Sequence, residues 1–466
     1  MSIGQKLKDS VINWLYSGGG LKPMGNMNVM QEYAVWYAGN EQQLAQFYTN
    51  TNFNEDYIKV KSNYMYRNTF DSERIMHSGV PRMMSDAVSK LIFGSGLDIT
   101  VNDNENANKI LQLILKDNKM VKQHNEGGSL ESALGEMAYK ISYDSDLSKY
   151  AIIETYRPTQ YDAIYECGRL QQVIFNEIII DGKREFKLCE VYGKGYIDYS
   201  LFIKRASKYE EVSLSTLERT KDLVRIDFDK NIIMAAVKTN QTLKGRSDYE
   251  GLLSEFDSLD EAWSNFAYEC RLAKVDRYIP RNFLDGAQIS ARQAKNYIVV
   301  DTAIDSDQKI QYEQPNLRST EWGNAINLHF NNILASFSLS PATFGINDAG
   351  ANTSAASRRE LEKASIRTRN ERILLWDEFL TDFYQTVLIA QDIFTKKAYK
   401  EYDINVQFGD YIEDNITERV VLVKDMVMSG VLDTQAALNF LFGDSMTEEE
   451  KKRILDNLGE SLDVIE

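Results

Sequence analysis

The stretch FGINDAGANTSAASRRELEKASIRTRNERILLW, residues 344–376, places a loop of small residues directly before a basic helix. Gly345 and Gly350 lower the barrier to backbone rearrangement, and only Ile346 within residues 345–352 has a bulky side chain. The loop joins two segments that read as long helices, namely RSTEWGNAINLHFNNILASFSLSP (318–341) and a helix continuing to about residue 392. A loop held between two helices often carries function, and an inert solvent loop is the alternative.

The helix after this loop carries six basic residues in a chain whose formal net charge is −16. Arg359, Lys363 and Arg367 recur every four residues and form one stripe, whereas the other three fall on a different arc. One reading is ion pairing within the helix, for example between Arg367 and Glu371, and with neighbouring subunits. The other reading is contact with phosphate groups. Both stay open for four candidates: Arg358, Arg359, Lys363 and Arg367.

The chain upstream predicts a helical part followed by strands. Residues 1–145 read mainly as helices, with a turn expected at Gly127-Gly128 before a second helix begins. Residues 150–235 alternate β-branched and aromatic residues, and Asp181-Gly182 between two such runs predicts a hairpin. We therefore expect an α+β, mainly helical fold with an antiparallel β-rich layer.

A heptad pattern marks the helix predicted near residues 248–276. It is equally compatible with an ordinary core helix and with a helix packed side by side with neighbours at a shallow angle. Short β-prone pieces follow, KNYIVVDT (295–302) and KIQYEQPNL (309–317). The apolar residues of the heptad pattern, called the seam, are Leu252, Phe256, Leu259, Trp263, Phe266, Cys270 and Ala273.

Composition excludes several classes of protein. With 53 Lys and Arg against 69 Asp and Glu, the chain is a poor candidate for a nucleic-acid binder that relies on phosphate neutralisation. The spacing of Cys167, Cys189 and Cys270 predicts neither a disulfide framework nor a metal site, so we expect reduced, buried thiols. The N-terminus lacks the apolar core of a signal peptide, and no apolar run approaches the ~20 residues of a membrane span. We expect a product that is soluble and intracellular when made.

No catalytic constellation appears in the sequence. The glycine-rich stretches lack the Lys of a phosphate-binding loop, and there is no GxSxG or HExxH motif. Asp257, Asp260 and Glu261 read as a solvated helix face rather than an acid–base pair. We therefore expect no enzyme activity, no cofactor and no metal, although an enzyme using carboxylates is a third and weakest alternative.

Three ordered segments resemble the portal proteins of tailed bacteriophages, especially those of siphophages that infect Gram-positive hosts. They are ERIMHSGVPRMMSDAVSKLIFGSGLDI (73–99), the segment from QPNLRSTEWG to ASIRTRN (314–370), and VQFGDYIEDNITERVVLVKDMVMSGVLDTQAALNFLFG (406–443), together with the heptad helix. The resemblance touches most of the chain in order. It implies a ring, usually of twelve subunits, with wing, stem, clip and crown parts around a channel.

By matching segment, the resemblance implies boundaries for each part. Residues 1–247 would form the N-terminal wing part and 248–278 the stem helix. Residues 279–315 would form the clip and its return, 316–392 the wing helices, and 393–466 the crown. Residues 341–353 would be the tunnel loop, with channel-facing residues Ile346, Asn347, Asp348, Asn352 and Thr353.

The resemblance also implies a structural role in the virion, at the capsid portal vertex, after assembly in the host cytoplasm. Expected partners are other copies of the chain, double-stranded DNA passing through, the terminase large subunit, a head–tail adaptor, and the major capsid and scaffolding proteins, with no membrane. The ATPase would belong to the terminase. The alternative is another head-completion or minor capsid protein without a DNA channel.

Overall fold

The computed structural model describes residues 24–49, 75–205, 208–241, 245–273, 276–280, 297–300, 311–313, 316–346, 360–398 and 400–410, with short pieces between 423 and 453. The helices are α1 (Met24–Ala38), α2 (Glu41–Thr49), α3 (Val80–Phe93), α4 (Glu105–Asp117), α5 (Met120–Leu134), α6 (Leu253–Leu272), α7 (Ser319–Ser336) and α8 (Lys363–Phe394). No described helix is long and apolar enough to cross a membrane.

The strands form four sheets. They are β1 (Leu97–Val101), β2 (Glu136–Ser142), β3 (Ile152–Tyr156), β4 (Tyr161–Glu166), β5 (Arg169–Asp181), β6 (Arg184–Gly193), β7 (Tyr196–Arg205), β8 (Lys208–Val212), β9 (Ile226–Asp227), β10 (Ala235–Thr239), β11 (Asp276–Pro280), β12 (Tyr297–Val300), β13 (Gln311–Glu313) and β14 (Ile404–Phe408). The largest sheet has the order β4-β5-β6-β7-β8, with β9 also paired to β7, and all its pairs are antiparallel. The smaller sheets are β10-β2-β3, β1-β14 and β12-β11-β13. The α+β class and the predicted antiparallel layer are confirmed.

The hairpin between β5 and β6 turns where the sequence predicts it. Asp181 pairs with Arg184, and Gly182 adopts φ 62°, a conformation that favours glycine. The outer edge of β5 is partly open, because its pairing with β4 ends where Phe175 meets Tyr161. From 177 to 181, no described strand lies on the side of β5 opposite β6. On this strip Ile178 is 52% exposed and Ile180 is 75% exposed.

One large core joins the helices to the smaller sheets. Phe93 of α3 packs edge-on against Trp376 of α8, with ring centroids 5.0 Å apart. His124 of α5 lies between two buried tyrosines, with Nδ1 3.0 Å from Tyr139 Oη and Nε2 2.7 Å from Tyr384 Oη. Burial lowers the pKa of His124 to about 3, so this imidazole is neutral and serves as a structural link.

The turn predicted at Gly127-Gly128 is wrong, because both glycines lie inside α5. A Cβ at Gly128 would stand 2.7 Å from Ser89 Oγ and 3.0 Å from Phe93 Cε2. The missing side chain lets α5 approach α3 closely. Glycine here marks a helix contact rather than a helix boundary.

The helix predicted near residues 248–276 is shorter than predicted. α6 ends at Leu272, and the residues from Asp276 form strand β11 instead of continuing the helix. Within the subunit Phe256 and Leu259 are buried, whereas Trp263 is 37% exposed. α7 packs antiparallel to α6, since His329 Nδ1 lies 2.8 Å from Glu255 Oε2 near one end and Arg318 pairs with Glu269 near the other. The C-terminal half of the seam is thus only partly covered by the subunit's own chain.

The prediction of a solvated acidic face on α6 is wrong for two of its three residues. Asp257 and Asp260 are 8% and 1% exposed, and only Glu261 faces solvent. Asp260 accepts a hydrogen bond from the backbone N–H of Ser78 at 2.8 Å, and its Oδ2 lies 2.8 Å from His77 Nδ1. The segment before α3 covers this face, which helical periodicity alone does not reveal.

The prediction of buried thiols is confirmed for Cys189 and wrong for Cys167 and Cys270. Cys189, on β6, is buried, and burial raises its pKa to about 11. Cys167 and Cys270 are exposed, one in the turn between β4 and β5 and the other on α6. All three are free thiols. Within the described residues no group of His, Cys, Asp and Glu is arranged to hold a metal ion.

Candidate functional site

The candidate site begins where α7 ends and the loop toward α8 starts. Ser338 adopts φ 53° directly after the helix, in the left-handed region where glycine is the usual residue. Its neighbours close the helix end, since the backbone N–H of Leu339 donates to Leu334 O at 2.9 Å. Pro341–Phe344 then form a short 3-10 helix, which ends at Gly345 with φ 69°. The first residues of the predicted tunnel loop are therefore a fixed turn.

Hydroxyl groups tie this turn to the first turns of α8. The backbone N–H of Ser340 donates to Ser365 Oγ at 2.8 Å, and Thr343 Oγ1 lies 2.7 Å from the same oxygen. Thr368 Oγ1 donates to Ser338 O at 2.8 Å. Ser365 is fully buried. Hydrogen bonds thus join the two ends of the segment between α7 and α8. We call this network the hydroxyl tie.

Among the predicted channel-facing residues, only Ile346 lies in the described part of the chain. It is 54% exposed and follows the tied turn directly. A Cβ at Gly345 would meet no atom within 4 Å, so only its positive φ favours glycine there. Outside the described residues lie Asn347, Asp348, Asn352 and Thr353.

The predicted basic stripe is partly described. Lys363 Nζ lies 3.0 Å from Glu360 Oε1, and both side chains are exposed. Arg367 is exposed one turn further along, and the structure records no ion pair between it and Glu371. Outside the described residues lie Arg358 and Arg359. The two described stripe residues are thus both available to solvent or to another molecule.

The next two arginines of α8 point into the protein instead. Arg369 Nε donates to Leu91 O at 2.8 Å, and Nη2 donates to Gly409 O. Arg372 forms two 2.7 Å hydrogen bonds to the carboxylate of Asp248 and one of 3.2 Å to Glu131 Oε2. These side chains fasten α8 to α3, to α5 and to the segment that leads into α6.

Arg372, Glu131, Lys238 and Asp248 form a buried ionic cluster. Lys238 Nζ lies 3.6 Å from Glu131 Oε1 and 5.2 Å from the ring centroid of Trp376. Burial raises the pKa of Glu131, and the neighbouring cations Arg372 and Lys238 oppose this rise. Burial by itself would lower the pKa of Arg372, but the two carboxylates raise it. Arg372 therefore stays charged, and together with Lys238 it balances the two carboxylates.

The segment leading into α6 is equally fixed. Tyr249, fully buried, donates from Oη to Pro81 O at 2.7 Å and accepts from Ser85 Oγ at 3.0 Å. Asp248 also accepts from Ser132 Oγ at 2.6 Å. The hydroxyl tie, the ionic cluster and the start of α6 therefore belong to one packed unit.

Sequence reasoning did not find the hydroxyl tie or the ionic cluster. For the cluster, Arg372 adjoins the apolar run ILLW, but that run contains the exposed Leu374 and Leu375 and does not predict that Arg372 is buried. No local pattern identifies Glu131 or Asp248 as its partners. The tie consists of Ser and Thr residues, which are common in any loop, and only their spatial arrangement distinguishes them.

No family model matches this sequence, and no curated protein matches it. Solved structures to which this chain is distantly similar include three chains from gene transfer agent particles. A chain in the virion of a native gene transfer agent particle shows 10% identity and a TM-score of 0.46, covering 79% of this chain and 90% of that chain. A chain in the neck of an empty particle, with C6 symmetry, shows 10% identity and a TM-score of 0.47 at the same coverage. A chain in the neck of a native particle, with C12 symmetry, shows 11% identity and a TM-score of 0.43, covering 78% and 90%. A likeness this distant gives no residue-by-residue correspondence.

Proposed function

We propose that this chain is the subunit of a phage portal ring, which stands at one vertex of the capsid and forms the channel for genome packaging and ejection. The ring contains about twelve copies, as the sequence resemblance implies. It is a structural protein without catalysis of its own. The terminase large subunit and a head–tail adaptor dock on it in turn, and the major capsid and scaffolding proteins surround it. A siphophage of a Gram-positive host is the proposed source.

The observation that carries this proposal is the hydroxyl tie at the base of the loop. Ser340, Thr343 and Ser365 hold the two ends of the loop together, and the ionic cluster behind them fixes α8. Small residues presented from a rigid base suit a contact that must be made and released repeatedly. That is the requirement for a pore edge along which a duplex slides.

The charge of the chain supports passage rather than binding. A ring of subunits that each carry −16 charges repels DNA, because affinity for a duplex comes mainly from phosphate neutralisation. In this proposal Ile346, Asn347, Asp348, Asn352 and Thr353 edge the pore with weak contacts. The basic residues Arg358, Arg359, Lys363 and Arg367 stand behind them, pairing with adjacent subunits or facing phosphates.

The proposed parts follow the boundaries given by the resemblance. The wing comprises residues 1–247 and 316–392, with the tunnel loop at 341–353. The stem is 248–278, the clip 279–315 and the crown 393–466. The antiparallel pair of α6 and α7, joined through β11, β12 and β13, supports a stem leading into a compact clip.

Native mass measurement and imaging of the purified protein test the ring. We expect a closed ring of about twelve copies with a central opening edged by residues 341–353. A persistent monomer at high protein concentration would contradict the proposal. A particle that lacks a central opening would favour the head-completion or minor capsid alternative.

Replacing residues 347–352 with a segment of equal length made of Lys and Trp tests the loop. We expect rings to form normally and DNA packaging to fail, because bulky and cationic side chains at the pore edge would hold the duplex instead of releasing it. The matched control places Lys and Trp at the exposed turn residues 145–147 and should leave packaging unchanged. Normal packaging by the loop variant would exclude the tunnel-loop role.

A further inference from the structure

A basic corner with an apolar centre lies where α4 meets α5. Val121 is 74% exposed and Leu113 is 45% exposed, and Lys116, Lys119 and Lys122 of the same two helices and their connection are also exposed. These five residues are called the basic corner below. Lys116 and Val121 line the same cavity, which places the cationic and apolar groups side by side.

The lysines of the basic corner have no anionic partner in the described part of the chain. No ion pair is recorded for any of the three, although Lys109 of the same helix pairs with Glu105 at 2.6 Å. Asp117, which lies between them in sequence, instead accepts a hydrogen bond from Ser148 Oγ at 2.6 Å. Charge and apolar surface are therefore both left for another molecule.

An acidic face with an apolar centre lies on the outer side of α8. Leu374 is 72% exposed and Leu375 is 38% exposed, and the exposed carboxylates of Glu371, Asp377 and Glu378 surround them. These five residues are called the acidic face below. Its charge is opposite to that of the basic corner, and like the basic corner it combines exposed apolar and charged residues.

A groove runs beside the acidic face. It has a volume of about 610 Å³ and lies between α8 and β14. The half-buried side chains of Ile373, Val406 and Phe408 line it together with Leu374 and Asp377. Arg369, Asn370 and Gln407 line it as well, so the groove offers both apolar and polar groups beside the acidic face.

No ion pair engages Glu371 or Asp377 among the described residues, and Glu378 has only the longer-range charge of Lys238 nearby. Burial raises the pKa of Asp382, and the nearby charge of Glu378 raises it further. Repulsion between carboxylates one turn apart is unfavourable in the isolated subunit. A cationic partner would relieve it.

We propose that the basic corner of one subunit docks on the acidic face of the next subunit around the ring. The occupant of each surface is therefore a second copy of this chain. Closed cyclic rings are built from heterologous contacts, in which two different surfaces of the same chain meet. Complementary charges around an apolar centre match the usual anatomy of a specific contact. This inference rests on the proposed ring.

Charge reversal of each surface tests the contact. One variant carries Lys116→Glu and Lys122→Glu, and the other carries Glu371→Lys and Asp377→Lys. All four side chains are exposed, so we expect wild-type melting temperatures. Each variant alone should need at least about tenfold more protein for half-assembly, because like charges then face each other across every contact.

Mixing the two variants gives the decisive measurement. In the mixture, both surfaces of one chain are acidic and both surfaces of the other are basic, so alternating rings should form again. The control reverses Lys183 and Lys208, two exposed lysines on the large sheet, and should assemble like the wild type. Native mass spectrometry resolves the alternating composition.

The possible outcomes separate the two proposals. If the wild type forms no ring, the proposed function fails. If the wild type forms rings and either variant assembles equally well alone, this docking inference fails and the ring stands. The inference also fails if the mixed, folded variants do not recover assembly. If either double variant unfolds, the single variants Lys122→Glu and Asp377→Lys, mixed in the same way, give the same test.

Discussion

At Arg372, a single guanidinium joins three parts of the chain. It contacts Glu131 on α5 and Asp248 before α6, and it belongs to α8 itself. Arg suits this position because its planar fork can satisfy two carboxylates and its charge is never lost. Its function is to hold the base of the candidate loop in register with the start of α6.

Arg372→Met should lower the free energy of unfolding by about 3–5 kcal/mol, because it leaves Asp248 without its cation and Glu131 with only Lys238. Urea unfolding measures this loss. The control Arg367→Met changes an exposed residue five positions earlier on the same helix and should cost under about 0.5 kcal/mol. Equal losses for the two variants would show that the cluster is not structural.

The loss of unfolding free energy in Arg372→Met should depend on pH in a definite direction. Burial raises the pKa of Glu131, so the folded state binds its proton more tightly than the unfolded state does. A protonated Glu131 needs no cation. Because its pKa is raised in the folded state, the contribution of Glu131 to stability is greatest at low pH. We therefore expect the deficit of Arg372→Met relative to wild type to shrink as the pH falls from about 7 toward the ordinary carboxyl range.

Ser365→Ala tests the hydroxyl tie. The substitution removes the acceptor of the Ser340 N–H and the partner of Thr343 Oγ1. We expect amide exchange at Ser340 to accelerate by about tenfold or more, since a buried donor is left unsatisfied. Ser336→Ala, at an exposed serine whose Oγ bonds Asn332 O, serves as the control. Unchanged exchange at Ser340 would show that the tie does not hold the turn.

At the scale of elements, α5 depends on close approach to α3. Gly128 faces Ser89 and Phe93 at distances that leave no room for a Cβ, whereas Gly323 on α7 has no atom within 4 Å of such a Cβ. The same residue type therefore has opposite roles in two helices. One position allows a helix contact, and the other only weakens its helix.

Gly128→Ala should destabilise the protein by about 1–3 kcal/mol through overpacking. Gly323→Ala should instead stabilise it by about 0.5–1 kcal/mol, because alanine favours the helix and no neighbour is displaced. Thermal unfolding of both variants measures the contrast. A stabilised Gly128→Ala variant would mean that α3 and α5 can separate without cost.

The sequence predicts those elements whose signals are local. Alternation and Asp181-Gly182 predict the β5–β6 hairpin, and the apolar face of α3 predicts its burial. Gly127-Gly128 misleads because a glycine pair has the same appearance at a turn and at a close helix contact. Asp260 misleads because the segment that covers it comes from residue 78, far away in sequence. The tie and the cluster at the candidate site are likewise products of tertiary packing.

At the scale of the whole molecule, net charge determines how the proposed ring would meet DNA. Each copy carries −16, and the described basic residues of the stripe, Lys363 and Arg367, are too few to neutralise phosphates over a long duplex. In the proposed ring, repulsion over most of the surface would favour movement of the duplex over its retention.

Assembled protein should therefore show no stable complex with free duplex DNA at about 0.15 M salt. The variant Asn347→Lys with Asn352→Lys should bind more tightly, with a steeper salt dependence, if these positions edge the pore. Mobility-shift titrations at several salt concentrations measure both. Tight binding by the wild type would contradict passage without retention.

The open strip of β5 has a consequence for chains that have not yet found their neighbours. Unpaired backbone groups beside Ile178 and Ile180 form a template on which another extended segment can add, the first step toward fibrous deposits. In the cell, newly made chains can then either assemble into the proposed closed ring or add to one another through this strip. Ile180→Lys should slow aggregation through this strip, which reduced light scattering on prolonged storage would show. Scattering equal to that of the wild type would show that aggregation does not start at this strip.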